Sequence, residues 1–462
     1  MPSTPSSSSG LAPAPRASSG EGAAPPPSFE APSPDPDHEA RTLAAVRAAL
    51  AKVPFYAKQD LGGVAAEERP LDEVLRRLPL LTRERVRPTL PKAWFPDGRD
   101  AKAELASGAV TVVEAGAADS RVRVLFDARW WRAQERRALS IHPRAAATIG
   151  GEIGRLRDAV LWVPERGTGS CGSGDPTYED RLEGARLHLN SRQDPTFWTE
   201  PVMTRMLDEL SIHETTALLA DPFYLDVLAR HAAVLGRRLD VRGFVATMRA
   251  RATRAQRAAL SRVYPGAVID VLAAREVGTL FVEGEDRKMH HAPLSTHVEL
   301  LRAKVETPGA TDLALVVVTT LEREVQPLVR YVLGDLVQIA PADERGGRFT
   351  CVPAIASVEG PIDDAIVRPD GAIVTAGAID RAIGAEPRAY QVLQSEPGAV
   401  EVEVVGGSPA HVEQALAPLL AGMKITTRST TAVGVEPNGK YRTTRRRSPL
   451  GLSAAFEGCD GV

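Results

Sequence analysis

The run Val316-Val317-Val318-Thr319-Thr320-Leu321 constrains the chain more than any other stretch. Consecutive β-branched and apolar residues read as a strand buried on both faces. The run stops at the charged loop Glu322–Glu324. A second short apolar stretch, Pro327 to Leu336, follows and carries Arg330 and Asp335. A strand buried on both faces needs helices or a second layer above and below it. The flanking sequence supplies them. Leu43, Val46 and Leu50 share one helical face ahead of Pro54, and Arg129 to Ile141 reads as a helix with Trp130, Trp131 and Leu139 toward the core. Asp221-Pro222 is a helix start with Asp as N-cap and Pro at the first helical position. Val110 to Val113 and Val122 to Phe126 read as two strands around a small-residue turn, and Gly266 to Leu272 as a buried strand. Leu78 to Glu84 reads as a strand passing into a helix, with Thr82 as its N-cap. The alternation predicts an α/β body.

After Val358 the texture changes. A hairpin is predicted around Pro369-Asp370-Gly371, a short helix at Ile379–Ile383, strands at Tyr390–Gln394 and Val400–Val405, a helix at His411–Leu420 and a last strand at Ile425–Val433. This is a compact α+β unit of roughly a hundred residues. Residues 1–36 hold ten prolines and nine serines, too little apolar surface to offset the entropy of ordering. The expected organisation is therefore a disordered tail over 1–37, a large body over 38–358, a small C-terminal lid over 359–447 and a flexible tail over 448–462.

With 462 residues and a net charge of −3, the chain has ample core and no basic field for nucleic acid or an anionic membrane. No apolar run approaches the roughly 20 residues of a membrane span. Its three cysteines, Cys171, Cys351 and Cys459, lie far apart and form no CxxC pair, which fits a reducing cytoplasm and argues against a zinc ribbon.

Five short motifs carry the chemistry. The turn Glu114 to Arg121 lies between two strands and holds Gly116, Ala117, Ala118, Asp119 and Ser120. Glu276 follows the strand Val268–Leu272. Arg330 and Asp335 sit in Arg-Tyr-Val-Leu-Gly-Asp. Gly360-Pro361-Ile362-Asp363-Asp364 opens the small unit, and Pro437-Asn438-Gly439-Lys440-Tyr441-Arg442 closes it. Singly each has a plain structural reading: an ion pair fixing a β-turn for Arg330 and Asp335, a solvated turn for Glu276, an exposed turn lysine for Lys440.

In this order, over about residues 40–445, the motifs resemble the phenylacetate–CoA ligase branch of the adenylate-forming, or acyl-CoA synthetase, superfamily. The resemblance implies a large multi-layer N-terminal body with mixed sheets and a small C-terminal lid that takes two orientations. It implies adenylation of an organic acid, aromatic acids among the candidates, by ATP, then transfer of the acyl group to CoA or a carrier-protein thiol. Asp335 would accept hydrogen bonds from the ribose hydroxyls of ATP, with Arg330 beside it. Glu276 would hold Mg2+, and one carboxylate suffices for an ion that takes most of its ligands from phosphate and water. Gly116, Ser120 and Arg121 would touch the phosphates, and Asp363 would mark the hinge near the nucleotide. Lys440 would reach the reacting carboxylate and α-phosphate.

The chain departs from the family in three places. The hydroxyls of the phosphate turn are alanines at 117 and 118, the hinge arginine is Pro361, and the family's Tyr-Gly-x-Thr is Leu272-Ala273-Ala274-Arg275. These departures leave a second reading, a catalytically degenerate relative that binds a nucleotide, an acid or a protein. A homodimer stays open. The Gly/Ser stretch Gly167–Asp175 lacks the Gly-Lys-Ser/Thr of a P-loop and reads as a surface loop. His290, His291, His297 and Glu299 have poor spacing for a tetrahedral metal and read as a polar loop entering a strand.

Overall fold

Two β-strands change partners halfway along their length, and the architecture follows from them. Ala267–Ala274 pairs parallel with Phe244–Thr247 through Ala267–Asp270, then antiparallel with Gly278–Glu283 through Val271–Ala274. On one side the sheet continues parallel through Phe244–Thr247, Ala217–Ala220, Asp158–Leu161 and Arg186–His188. On the other it is antiparallel through Gly278–Glu283, Met289–His291, Ile355–Pro361, Tyr331–Ile339, Leu313–Thr320 and Thr296–Arg302. With the edge strand Leu182–Glu183 this makes a 12-stranded sheet. The second such strand, Tyr331–Ile339, also takes an isolated parallel bridge from Tyr331 to Leu81. The structure is a computed structural model and describes residues 37–59, 61, 63–64, 69–116, 121–163, 176–191, 195, 198–341, 354–436 and 439–459. The expected tail over 1–36 lies outside them.

Helices cover the parallel half. Pro222–Val234 starts as its sequence predicts, with the Asp221 carboxylate accepting from the Phe223 amide at 2.9 Å. Glu200–Ile212 and Arg254–Val263 flank it, and the latter carries a full capping box between Thr253 and Gln256. Asp127 caps Ala128–Leu139 with its carboxylate, which accepts from the Arg129 and Trp130 amides at 2.8 and 3.2 Å. Leu139 is buried as predicted, but Trp130 and Trp131 are only half-buried; Gln134 and Glu135 take the inward positions. The Gln134 carbonyl oxygen accepts from the Thr279 amide at 2.9 Å, and the Glu135 carboxylate pairs with Arg186 at 3.0 Å. Polar side chains occupy that face because each finds a partner there. Thr82 precedes the helical turn Arg83–Val86 without a side-chain cap. The hairpin Thr111–Ala115 with Val122–Phe126 forms as read, Thr111 facing Phe126.

The large sheet holds the chain to Pro361, which takes extended geometry (φ −64°) and leads into the short 3-10 turn Ile362–Asp364. The small unit follows. Its sheet runs in the order Lys424–Ser429, Ala399–Val405, Ala389–Glu396, Thr444–Arg446, with helices Ala376–Ile383 and Pro409–Leu416 against it. The last predicted strand is thus not the last, because Thr444–Arg446 adds a parallel strand beside Ala389–Glu396. Residues 448–459, expected to be a flexible tail, are packed: Phe456 bridges Ala303 of the body, and both Phe456 and Cys459 are fully buried. Among the described residues no helix is long and apolar enough to cross a membrane.

The histidine stretch closes the seam between the first helix and the body. His38, which opens the helix His38–Lys52, has Nε2 at 3.0 Å from Nδ1 of His297 and Nδ1 at 3.1 Å from the Pro293 carbonyl. His291 lies edge-on to His38 with ring centroids 6.2 Å apart. Burial, and then the neighbouring imidazoles, push His297 down to about 3 and His291 well below its ordinary value. In the unfolded chain both would take up a proton near pH 6.5, whereas in the fold they resist it. The unfolded state then binds more protons below that pH, so stability falls as pH drops from about 6.5 toward 3. Urea unfolding at pH 7, 6 and 5 should show this loss, steepening by up to about 1.4 kcal/mol per unit for each histidine. His297→Asn should flatten the slope; a wild-type stability that stays constant across that range contradicts the assignment.

Candidate active site

The sheet's change from parallel to antiparallel leaves a crevice at the end of Ala267–Ala274, the kind of topological break where α/β proteins bind ligands. A cleft of roughly 590 Å³ opens there, lined by residues from many separate segments. Among them, Gly116 and Arg121 come from the hairpin, Leu272 to Glu276 from the switch strand, Gly334 and Asp335 from Tyr331–Ile339, Gly360, Pro361, Asp363 and Asp364 from the junction between the large sheet and the small unit, and Lys440 to Thr443 from the small unit.

Asp335 is aimed into the cleft by an irregularity in its strand. Pairing with Leu313–Thr320 slips between Leu315 and Val317, leaving extra residues on the Tyr331–Ile339 side. Such a bulge bends the strand and redirects a side chain. Gly334 sits in it at φ +90°, a conformation that a residue with a Cβ adopts only under strain. Asp335 keeps part of its surface open to the cleft, yet protein surrounds it. That desolvation pushes its carboxyl up to about 6; Lys440 and Arg83 pull it back, while Glu276 and Asp364 raise it further.

Arg83 is the cation that the sequence reading did not single out. Its Nη2 donates to the Leu333 carbonyl at 2.6 Å and lies 3.8 Å from Glu276 Oε1, and its Nη1 lies 4.0 Å from Asp363 Oδ2. Burial works against its charge, but the Tyr331 hydroxyl and the Glu276 carboxylate outweigh it and hold the guanidinium protonated. Nothing local in Leu78–Glu84 announces this. The residue arrives because Leu81 hydrogen-bonds across to Arg330 and Val332, each at 2.9 Å. Glu276 itself is buried, with the Tyr331 hydroxyl 3.5 Å from Oε1. Its turn is fastened to the hairpin by Arg323, which donates to the Glu276 and Leu125 carbonyls and to Val325 O at 3.1 Å. Burial lowers the Arg323 guanidinium to about 10.

Lys440 follows a tight turn. Gly439, at φ +75°, donates to the Glu436 carbonyl at 2.7 Å, and the Lys440 carbonyl accepts from the Glu436 amide at 2.9 Å. The buried Tyr224 hydroxyl donates to the Gly439 carbonyl at 3.0 Å. Arg442, two residues on, donates to Asp364 Oδ1 at 2.6 Å, to Glu436 Oε1 at 3.0 Å and to the Asp363 carbonyl at 3.1 Å. The Lys440 charge acts on Asp221, Asp335 and Asp364, each of which burial raises and the lysine lowers. Pro437 and Asn438 lie outside the described residues.

Of the residues named from the sequence, Glu276, Asp335, Asp363, Lys440, Gly116 and Arg121 line one cleft. Arg121 pairs with Glu114 at 3.1 Å on the exposed rim. Ser120, with residues 117–119, lies outside the described residues, as do Cys171 and its loop. Arg330 is placed otherwise than expected. It takes φ +52°, grips Glu299 through Nε and Nη2 at 2.9–3.2 Å and donates to the Leu78 carbonyl at 2.6 Å. It is buried and does not line the cleft. That same pair commits Glu299, while His290 pairs with Asp286 at 2.8 Å. No group of three or more His, Cys, Asp or Glu among the described residues could hold a metal ion.

No family model matches the chain, and a search of curated proteins gave no match. Solved structures do share its fold. A 2-hydroxyisobutyryl-CoA ligase in the postadenylation state, in complex with 2-HIB-AMP, superposes with a TM-score of 0.62 at 16% identity, covering 88% of each chain. The same ligase in the thioesterification state, with 2-HIB-AMP and CoA, gives a TM-score of 0.51 at 15% identity over 92% of this chain and 94% of that one. An open conformation gives 0.52 at 15% identity, over 89% and 91%. The α/β body with its separate small sheet unit is thus the fold of acyl-CoA ligases.

A carboxyl raised by burial costs stability when it ionises, so Asp335→Asn should stabilise the chain at pH 7 by about 1–3 kcal/mol. The gain should shrink as pH falls through about 6 toward 4, and vanish only well below 3.8, where both the folded and unfolded carboxyl are protonated. Thermal unfolding of the two proteins at pH 7 and pH 4 measures it. A variant less stable than the wild type at pH 7 would show that Asp335 serves packing instead.

Proposed function

We propose that the protein is an AMP-forming ligase that activates an organic acid with ATP and passes the acyl group to CoA or a carrier thiol. One observation carries the reading: Glu276, Asp335 and Lys440, from distant parts of the chain, line a single cleft. The carboxylate of the acid would attack the α-phosphorus of ATP. A P–O bond forms to the acid oxygen, the bond to the β-phosphate breaks, and pyrophosphate leaves. Such a transfer needs positioning and charge stabilisation more than covalent help from the protein.

The ionised Asp335 offers two acceptor oxygens to a vicinal diol, so it would hold the ribose. Lys440 would neutralise charge between the carboxylate and the α-phosphate. It is suited to this because its turn is fixed by Tyr224 and Arg442 while its side chain reaches Asp335 and Asp221 electrostatically. Gly116 and Arg121, with Ser120 from the same turn, would meet the outer phosphates, and Asp363 would mark the hinge near the nucleotide. Glu276 is the carboxylate that would hold magnesium, which would supply charge compensation for the triphosphate. With no cluster of protein ligands among the described residues, phosphate and water would complete its shell. An aromatic acid, the substrate class of the phenylacetate–CoA ligase branch, is the first to try. The alanines at 117 and 118 favour a second reading, nucleotide or acid binding without turnover.

ATP–pyrophosphate exchange with a panel of aromatic and short-chain acids tests the proposal. At least one acid should support exchange, and Lys440→Ala should lower it by about a hundredfold or more with ATP binding retained. Nucleotide binding should strengthen as pH rises through about 6, where Asp335 loses its proton. Exchange unaltered by Lys440→Ala would remove the lysine from the mechanism. Tight ATP binding with no exchange for any acid would favour the second reading.

A further inference from the structure

Residues 450–459 join three parts of the molecule that a hinged lid would have to separate. The chain leaves the small unit at the strand Thr444–Arg446 and crosses to the far edge of the large sheet. There the Lys304 amide donates to the Ala455 carbonyl at 2.8 Å, the Glu457 amide to the Arg302 carbonyl at 2.9 Å, and the Lys304 ammonium to the Ser453 carbonyl at 2.9 Å. Ala455, Phe456 and Cys459 enter one apolar cluster with Leu313, Leu315, Val332 and Leu336 of the body. Ile362 of the hinge and Ala365 and Ile373 of the small unit's first hairpin belong to the same cluster. All of these are buried.

The hairpin is also bonded directly to the body, the Ile373 amide donating to the Glu306 carbonyl at 2.9 Å. Arg446 closes the loop from the other side, with Nη2 3.4 Å from the Ile362 carbonyl and Nε 2.5 Å from the Ser448 carbonyl. The small unit is therefore held at both ends against one patch. The hinge enters there and the returning segment leaves there. From Arg446 to the first body contact at Ser453 the chain spans about 25 Å when fully extended, so some slack exists. The shared cluster has none, because packed interiors do not deform continuously.

We propose that residues 450–459 are a strap that fastens the lid in the arrangement seen here, and that the lid turns about Asp363–Asp364 only when Phe456 and Cys459 leave their cluster. The default lid position is then the one that presents Lys440 to the cleft. If the protein acts as proposed above, strap release caps the rate of any step that needs the lid elsewhere. The fastening itself does not rest on that function.

The test uses the full chain with Cys171 and Cys351 replaced by serine, so that Cys459 is the sole thiol. Two rates are followed together: modification of Cys459 by a thiol reagent, and cleavage before Asp363 or Asp364 by an Asp-specific endoprotease. Both are measured in low urea, below unfolding, where hydrogen exchange shows the amides of Leu313–Thr320 still protected. The strap predicts that the two rates rise together with one urea dependence. Phe456→Ser should quicken both by about tenfold or more while Leu313–Thr320 stays protected. Hinge cleavage that proceeds while Cys459 stays protected would overturn the proposal, since the lid would then open with the strap in place. Neither rate depends on catalysis. Absence of ATP–pyrophosphate exchange alone would count against the proposed function and leave the strap standing.

Discussion

A single buried guanidinium, Arg442, ties the turn that carries Lys440 to the residues that follow the large sheet. It stands two residues beyond Lys440 and bonds Asp364 of the hinge and Glu436 at the base of the lysine's own turn. Separating one partner from a buried, hydrogen-bonded pair costs about 3–5 kcal/mol, because the other is left charged without compensation. The turn that carries Lys440 is therefore bound to the end of the large sheet, and the Tyr224 hydroxyl holds it from the opposite wall. Through these contacts the lysine of the small unit faces the acids of the body across one cleft.

The cleft concentrates charge that an ordinary interior would avoid. Asp221, Asp335 and Asp364 are all raised by burial, and Arg83 and Lys440 stand among them. Ordinary surface ion pairs contribute little, whereas these groups are partly or wholly removed from water. The backbone is unusual in the same places. Gly334 adopts φ +90° in a strand bulge beside Asp335, and Arg249, which lines the cleft next to Ala250, takes φ +77° without being glycine. Strain and desolvated charge gathered at one crevice fit a surface built to bind and polarise a ligand more than one built for stability.

Much of this was legible in the residues. The β-branched run at 316–320 forms a fully buried strand, Asp221-Pro222 starts a helix, and the elements of the small unit fall close to their predicted places. Glu276, Asp335 and Lys440 could be named because each sits in a short motif whose order along the chain is informative. What failed depended on the third dimension. Arg330 and Asp335 are five residues apart, but a left-handed φ at Arg330 and the bulge at Gly334 send their side chains to different places. No periodicity encodes that. Arg83 joins the site through a backbone bridge between Leu81 and Tyr331, a long-range pairing with no local signal. Leu450, Leu452 and Phe456 looked like a tail because so short an apolar stretch has no repeat. They are ordered because a sheet edge and a hinge present them with an apolar surface.

The proposed function requires one adenosine triphosphate to lie between the acids of the body and the lysine of the small unit. A crystal structure of the chain grown with a non-hydrolysable α,β-methylene analogue of ATP and magnesium examines this directly. The ribose hydroxyls should lie on the Asp335 carboxylate and the Lys440 ammonium against the α-phosphonate. A nucleotide bound outside this cleft, or a cleft left empty at millimolar analogue, would contradict it.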